Sequence, residues 1–118
     1  MRTNFVMEDF KHITMVRGDT LSFGIVIEDD NGNPLDIDSA FFTAKKNYTD
    51  DTILFQKKMG VGIIKVADGT YSVRVRPDET ANAEAGNYFY DFQVGVNGDV
   101  FTIMRGVLEL LMDVTIGG

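Results

Sequence analysis

The fold is decided by the stretch GNYFYDFQVGV, residues 86–96. Its apolar side chains occupy every second position, at Tyr88, Tyr90, Phe92, Val94 and Val96. The polar residues Asp91 and Gln93 lie between them. Because successive side chains of an extended chain point to opposite sides, this alternation predicts a long strand with one buried face and one open face.

The same period of two recurs along the chain and predicts about eight strands. The other seven runs are HITMV (12–16), TLSFGIVIE (20–28), SAFFTAKK (39–46), TILFQKK (52–58), GIIKV (62–66), TYSVRVR (70–76) and VFTIMRGVLELLMDV (100–114). Asn97-Gly98 and Asp68-Gly69 separate consecutive runs, and both predict type I′ hairpin turns, which need a positive φ at two central residues. Many short strands joined by such turns favour an antiparallel sandwich or barrel.

One short helical segment narrows this choice. PDETANAEA at 77–85 begins with proline and acidic residues, which suits a single short helical turn. It leads into Gly86-Asn87-Tyr88, and immunoglobulin-like sandwiches enter their penultimate strand through a corner tyrosine whose hydroxyl bonds back to the upstream backbone. We therefore predict an all-β, immunoglobulin-like antiparallel β-sandwich of about seven to eight strands, with Tyr88 in this structural role. The alternative is that Tyr88 is an inward aromatic without the corner bond.

The chain is predicted to form a single domain. Its 118 residues suit one hydrophobic core, and no linker or repeat interrupts the strand pattern. We expect an N-terminal arm over residues 1–11 and one immunoglobulin-like domain over residues 12–116. With no cysteine and no tryptophan, the chain lacks the signature of antibody-type domains.

The composition excludes several classes of function. Eighteen acidic against eleven basic residues give a net charge of −7, which argues against nucleic-acid binding. The absence of cysteine rules out disulfides, thiolate catalysis and iron–sulfur clusters. Residues 1–10 lack the apolar segment of a signal peptide, and no run of about 18 apolar residues occurs. We therefore expect synthesis in the cytoplasm, no export by a signal peptide and no membrane insertion.

Candidate catalytic and metal-binding residues are few. His12 is the only histidine and has no neighbouring serine. The acidic turn at 28–32 invites comparison with a calcium loop, but an EF-hand register puts Ile27 at the first ligand position. A calcium ion between loops, held with the help of Asp36 or Asp38, is the remaining alternative. We expect a chain that is not an enzyme and has no cofactor and no metal site.

The last predicted strand differs from the others because Val107-Leu108-Glu109-Leu110-Leu111-Met112 has apolar side chains on both faces. The apolar phase changes along this strand at Arg105-Gly106, so we predict a β-bulge there, with Gly106 as a structural residue. Val107 and Leu111 then still point away from the core, and Phe41 and Phe89 also fall on outer faces. These four residues predict a contact surface for another chain. The alternative is that the N-terminal arm covers them through Phe5, Val6 and Phe10.

A series of turns and strand ends carries a family resemblance. The segments are Arg17–Phe23, Asp30–Asp36, Phe42–Lys46, Leu54–Lys58, Asp68–Tyr71, Arg76–Thr80, Gly86–Asp91, Thr102-Ile103, Gly106 and Asp113–Thr115. In this order they resemble small structural proteins of bacteriophages or prophages of gut Firmicutes, and they are similar to the immunoglobulin-like N-terminal module of phage baseplate upper proteins. The resemblance covers residues 15–115.

The resemblance implies a non-catalytic component of the virion, associated with the tail or the baseplate and made in the cytoplasm of the bacterial host. Its partners would be other phage structural proteins or a second copy of the chain. Whether it is an adaptor, a decoration protein or an accessory product stays open. The alternative function is a β-sandwich that binds carbohydrate or another host-surface ligand, in which Tyr48 stacks on a sugar.

Overall fold

A computed structural model describes residues 3–5, 12–47, 49 and 52–114, and this part of the chain forms nine strands and one 3₁₀ helix. The strands are β1 (Thr3–Phe5), β2 (Ile13–Val16), β3 (Leu21–Asp29), β4 (Ser39–Lys45), β5 (Ile53–Met59), β6 (Gly62–Ala67), β7 (Thr70–Val75), β8 (Gly86–Val96) and β9 (Asp99–Leu111). The 3₁₀ helix spans Pro77–Glu79. The eight predicted strands therefore correspond to β2–β9.

The strands are hydrogen-bonded in the order β1-β3-β7-β6-β5-β4-β8-β9-β2. Strands β5 and β6 share only two residue pairs, at the corner where the chain passes from one layer to the other. The first layer is β1-β3-β7-β6 and the second is β5-β4-β8-β9-β2, with β2 parallel to β9. This is the strand order of an immunoglobulin-like sandwich, in which β3, β4 and β8 are strands B, C and F. The predicted fold class is confirmed.

The corner between the layers depends on a glycine and a buried ion pair. Gly62 has φ +90°, and a Cβ there would lie 2.9 Å from the Arg74 carbonyl oxygen, so only glycine fits without a shift of the backbone. Beside it, the Lys57 ammonium pairs with the Glu79 carboxylate, and both side chains are largely buried. Glu79 also accepts a hydrogen bond from the Arg76 backbone N–H at 2.7 Å. These contacts tie β5 to the segment that follows β7.

Residues 3–5, which fall within the N-terminal arm expected over residues 1–11, form β1 and pair antiparallel with residues 27–29 of β3. Three residues are too few to show an alternation in the sequence. The helical turn expected over 77–85 is limited to the 3₁₀ helix, after which Ala81 and Ala83 continue in tight turns through hydrogen bonds to Pro77 and Thr80.

The predicted bulge also lies elsewhere. Phe92 of β8 pairs with Met104 and Gln93 pairs with Thr102, so Ile103 is the extra residue on β9. Gly106 is buried in regular register opposite Tyr90 and is not the site of the phase change. The sequence shows that the apolar phase changes, but the residue at which it changes depends on the pairing with β8.

The two predicted hairpin turns have different geometries. Asn97 and Gly98 both have positive φ, 52° and 87°, as a type I′ turn requires. In Asp68-Gly69 only the glycine has a positive φ, and the pairing of β6 with β7 shifts between Lys65 and Ala67. The second hairpin is therefore closed with a bulge rather than with a type I′ turn.

The core between the layers is centred on the ring of Phe42, which is fully buried. It lies edge-on to Phe23 of the first layer at 5.4 Å between ring centroids, and it stacks on Phe92 at 5.5 Å. The rings of Phe55 and Tyr90 pack against it at 5.2 and 5.7 Å. Offset and edge-on ring pairs of this kind add stabilisation beyond the burial of area, so this cluster holds the layers together.

Tyr88 closes the start of β8. Its hydroxyl donates to the Glu84 carbonyl oxygen at 2.5 Å, which is the contact that characterises a tyrosine corner. The ring is buried, and Lys46 Nζ lies 4.9 Å from its centroid. Burial raises the pKa of the Tyr88 hydroxyl, with a smaller contribution from Glu84.

Phe42→Ala is expected to reduce the free energy of unfolding by about 3–5 kcal/mol, because it removes a fully buried ring and leaves a cavity. The adjacent Phe41→Ala, on the opposite side of the same strand, is the matched control and should cost less than about 1 kcal/mol. Urea denaturation of the two variants measures the difference. Equal losses would contradict the central position of Phe42.

Tyr88→Phe is expected to cost about 1 kcal/mol of unfolding free energy, since it removes the hydroxyl and leaves the ring. Tyr88→Leu should cost more, because the ring is lost as well. The same denaturation measurement tests both variants. A Tyr88→Phe protein as stable as the wild type would show that the bond to Glu84 contributes nothing.

Candidate binding face on the second layer

The solvent side of the second layer, which we call the outer face, carries three rows of side chains that cross the strands. Residues directly opposite each other on neighbouring strands point to the same side, so the pairing defines the rows. They are Lys58–Phe41–Gln93–Thr102, Gln56–Thr43–Asp91–Arg105 and Ile53–Lys45–Phe89–Val107. The middle row is polar, and both flanking rows contain apolar side chains.

A half-open trough of about 380 Å³ lies between the flanking rows. Phe41 forms one wall, and Phe89 and Ile53 form the other. The walls are four residues apart along the strands, or about 13 Å at the usual rise per residue. Phe41 and Ile53 are 41% and 42% exposed, so the trough presents apolar side chains to solvent.

The floor of the trough is polar and contains the carboxylate of Asp91. Gln56 Nε2 donates to Thr43 Oγ1 at 3.1 Å. Asp91 is half-buried beside them, and its carboxylate makes no hydrogen bond or ion pair with any residue that the structure describes. Burial raises the pKa of Asp91, and the nearby charges of Lys45 and Arg105 only partly offset this. Ionised Asp91 is therefore a cost to the folded state.

The other half of the outer face leads to the end of β9. Val107 lies directly opposite Phe89, and Leu111 pairs with Val16 of β2. Between them, Glu109 accepts a hydrogen bond from His12 Nε2 at 3.0 Å. Where the chain leaves β9, Leu111, Met112 and Val114 are 39%, 64% and 96% exposed; we call these three residues the β9 exit.

The four residues predicted as one interface thus share the outer face but do not form one patch. Phe41 and Phe89 are on opposite walls of the trough, and Val107 continues the wall formed by Phe89. Leu111 lies beyond the polar pair of His12 and Glu109. Tyr48, the residue predicted to stack on a sugar, lies outside the described residues.

Two features of the surface were missed in the sequence. Val26, Ile64 and Val66 are 52%, 55% and 58% exposed, and Val26 and Ile64 lie on the solvent side of the first layer. The alternation along its strand already places Val26 on the solvent side, so the sequence contained a signal for this exposed residue. The lack of a hydrogen bond or ion pair between Asp91 and any described residue had no such signal, because it depends on which side chains the neighbouring strands bring beside Asp91.

The acidic loops bind their own backbone. Asp29 Oδ1 accepts from the N–H groups of Asn31 and Asn33, both at 2.9 Å. Asp38 accepts from the Asn97 N–H at 2.7 Å, which joins the β3–β4 connection to the β8–β9 hairpin. Among the described residues, no group of three or more metal-ligating side chains occurs.

Asp36 organises the same end of the sandwich. It accepts hydrogen bonds from Lys65 Nζ at 2.7 Å and from the Gly69 N–H at 3.0 Å. The Lys65 bond, followed by the Gly69 bond, lowers the pKa of Asp36. Asp36 and Asp91 therefore have pKa values displaced in opposite directions.

At the opposite end of the sandwich, Arg17 joins the turn after β2 to the residues that follow β9. Its guanidinium pairs with Asp113 at 2.8 Å and donates to the Ala83 carbonyl oxygen at 3.2 Å. The adjacent Gly18 N–H donates to the Thr80 hydroxyl at 2.9 Å, and Thr80 is fully buried.

In the part of the chain that the structure describes, no helix has the length and apolar character to cross a membrane.

Comparisons with known proteins give only structural neighbours. No protein-family profile matches the chain, and no curated protein sequence matches it. The endo-β-1,4-mannanase of Thermotoga petrophila is similar in structure, with a TM-score of 0.53 and 12% identity over 95% of this chain. The chain spans 20% of that enzyme's length, and at this identity the likeness shows the fold alone.

Two further solved structures have lower scores. Murine CRIg has a TM-score of 0.46 and 8% identity, covering 96% of this chain and 99% of its own. The N-terminal Ig1-2 module of the Drosophila receptor protein tyrosine phosphatase DLAR has a TM-score of 0.44 and 14% identity, covering 98% of this chain and 52% of its own.

Asp91→Asn is expected to stabilise the protein at pH 7, because it removes a carboxylate whose ionised form is disfavoured by burial. The folded-state pKa of Asp91 is raised, so this cost is present above that pKa and disappears as the pH falls below about 3.9, the value in the unfolded chain. Thermal unfolding at pH 7 and pH 3 should show a gain only at pH 7.

Asp36→Asn is the matched control of opposite sign. The folded-state pKa of Asp36 is lowered, so its contribution is present above about pH 3.9 and is lost as the pH falls through the folded-state value. The substitution should destabilise the protein at pH 7 and destabilise it less at pH 3. The same sign for both variants at pH 7 would contradict the assignment of their environments.

Proposed function

We propose that the chain is a non-catalytic module of a bacteriophage or prophage particle, associated with the tail or baseplate, that acts through protein–protein contacts. The observation that carries this proposal is the exposed apolar surface of the β9 exit, Leu111, Met112 and Val114. The resemblance of residues 15–115 to phage structural proteins and to the baseplate module supports the same assignment.

The β9 exit has too much exposed apolar surface for an ordinary strand end. Leu111, Met112 and Val114 follow one another closely, and their exposure rises from 39% to 96%. Contiguous apolar surface of this kind on a soluble domain usually marks a contact with another chain, because burying it there releases the water that covers it. Scattered single apolar residues would need no such explanation.

The sheet edges favour a contact through side chains rather than through added strands. Strand β5 carries the inward-pointing, buried Lys57, and β6 carries the register shift after Lys65. Strand β9 has its bulge at Ile103, in the part of the strand that β2 does not cover. Inward charges and bulges are the devices by which proteins prevent pairing of edge strands. The contact therefore involves a face and the β9 exit.

The net charge of −7 agrees with this role. Like-charged molecules repel one another, so an acidic chain with exposed apolar surface is protected against nonspecific association. A specific partner overcomes the repulsion with complementary shape and charge. The alternative, a sugar-binding module that uses Tyr48, rests on a residue outside the described part of the chain and stays a prediction.

Leu111→Lys is expected to disrupt assembly and leave folding intact, because Leu111 is exposed and its replacement places a charge in the apolar contact. Val26→Lys is the matched control, since Val26 is an exposed apolar residue on the other layer. Light scattering measures the size of each variant alone and after co-expression with the proteins encoded beside its gene. Thermal unfolding checks the fold.

The expected result is a wild-type complex that survives Val26→Lys and is lost with Leu111→Lys. A wild-type chain that is monomeric both alone and after co-expression would contradict the proposal. Equal effects of Leu111→Lys and Val26→Lys on the complex would also contradict it. The neighbouring genes test the particle assignment separately: tail or baseplate genes support it, and a polysaccharide locus argues against it.

A further inference from the structure

We infer that the trough on the outer face binds a neutral, hydroxyl-rich ligand, a saccharide chain that lies across β5, β4 and β8. This inference goes beyond the assembly role and does not depend on it, because it rests on Asp91 and the trough rather than on the β9 exit.

The first step is the state of Asp91. Its carboxylate is half-buried on the floor of the trough and has no hydrogen-bond or ion-pair partner among the described residues. A desolvated carboxylate without donors destabilises the fold, and threonine or asparagine would fit an outward strand position without this cost. A residue that opposes stability at a concave site is a candidate for binding, where a ligand supplies the missing donors.

The second step is the charge of the ligand. Lys45 and Arg105 flank Asp91 on the neighbouring strands, and both act on its pKa through their charges. A cationic ligand at Asp91 would be repelled by these two residues. An anionic group in contact with Asp91 would be repelled by its carboxylate. Neutral O–H donors meet neither obstacle and form short, strong hydrogen bonds to a carboxylate.

The third step is the pattern of apolar and polar groups. Phe41, Phe89 and Ile53 supply apolar walls, and a sugar ring presents C–H groups that pack on such side chains. On the floor, Gln56 uses one amide N–H for Thr43, while its second N–H and its carbonyl oxygen make no hydrogen bond to another side chain that the structure describes and can bind hydroxyl groups. Apolar walls with a few convergent polar groups are the usual composition of a small-molecule site.

The fourth step is size. The trough of about 380 Å³ falls within the range of about 300–1,000 Å³ that small-molecule sites occupy. It is half-open and follows the polar row across three strands, so a linear chain of sugar units fits better than a compact ligand. A peptide strand would instead be expected at a sheet edge, where its backbone finds partners, and not across the face of a sheet.

The test is to titrate the full chain with three neutral probes and to monitor its backbone amide signals by NMR. The probes are cellotetraose, mannotetraose and chitotetraose. Tetragalacturonate is the charged comparison. We expect at least one neutral probe to bind, with shifts concentrated at Thr43, Asp91 and Gln93, and tetragalacturonate to bind more weakly. Affinity should fall as the pH is lowered, because protonated Asp91 is a weaker acceptor.

Two variants and a matched control locate the site. Asp91→Ala and Phe41→Ala should each weaken binding about tenfold or more, and Val26→Ala on the other layer should leave it unchanged. Asp91→Asn keeps the size of the side chain and removes the charge, so it serves if Asp91→Ala does not fold. Leu111→Lys should keep sugar binding, which separates this inference from the assembly role.

Three results would overturn the inference. They are no binding of any neutral probe, preferential binding of tetragalacturonate, and binding that survives both Asp91→Ala and Phe41→Ala. In the last case the shifts would map elsewhere and the trough would not be the site. If Leu111→Lys loses assembly and still binds the sugars as the wild type does, the result supports both the assembly role and the saccharide site.

Discussion

The packing of Phe42 against Phe23 and Phe92 is the interaction on which the rest of this structure depends. In antibody-type domains a disulfide joins strands B and F, and a tryptophan on strand C packs against it. Here the same three strands, β3, β8 and β4, contribute phenylalanine rings, and the chain has no cysteine. The two layers are held by dispersion and ring geometry, so their separation is set by the size of the side chains.

The core also determines the binding face. Because side chains alternate along a strand, the inward position of Phe42 turns Thr43 outward, and the inward position of Phe92 turns Asp91 outward. Phe42 and Phe92 are directly paired, which places Thr43 beside Asp91 on the other side of the sheet. The polar floor of the trough is thus the reverse side of the aromatic cluster. A change of register by one residue would exchange the two.

The outer face combines two surfaces with different chemistry. The β9 exit is apolar and suits the dry centre of a protein contact. The trough mixes rings, amides and a carboxylate that destabilises the fold when ionised, which suits a polar ligand. Phe89 belongs to the wall of the trough and adjoins Val107, so the two surfaces are neighbours on one rigid sheet. On the two proposals made above, the β9 exit would hold the partner protein and the trough would stay open to the saccharide.

Local patterns in the sequence specify the eight strands β2–β9, the type I′ turn at Asn97-Gly98 and the tyrosine at the corner, because alternation, turn conformation and local chain reversal depend on residues close together in the chain. The strand β1, the bulge at Ile103 and the shifted hairpin at Asp68-Gly69 follow from the pairing of strands. The same pairing leaves Asp91 without a hydrogen bond or ion pair to any residue that the structure describes, and it places Phe41 and Phe89 on opposite walls of a trough. These features depend on the register of strands far apart in sequence, and burial and hydrogen bonding at any one position are set by what those strands bring beside it.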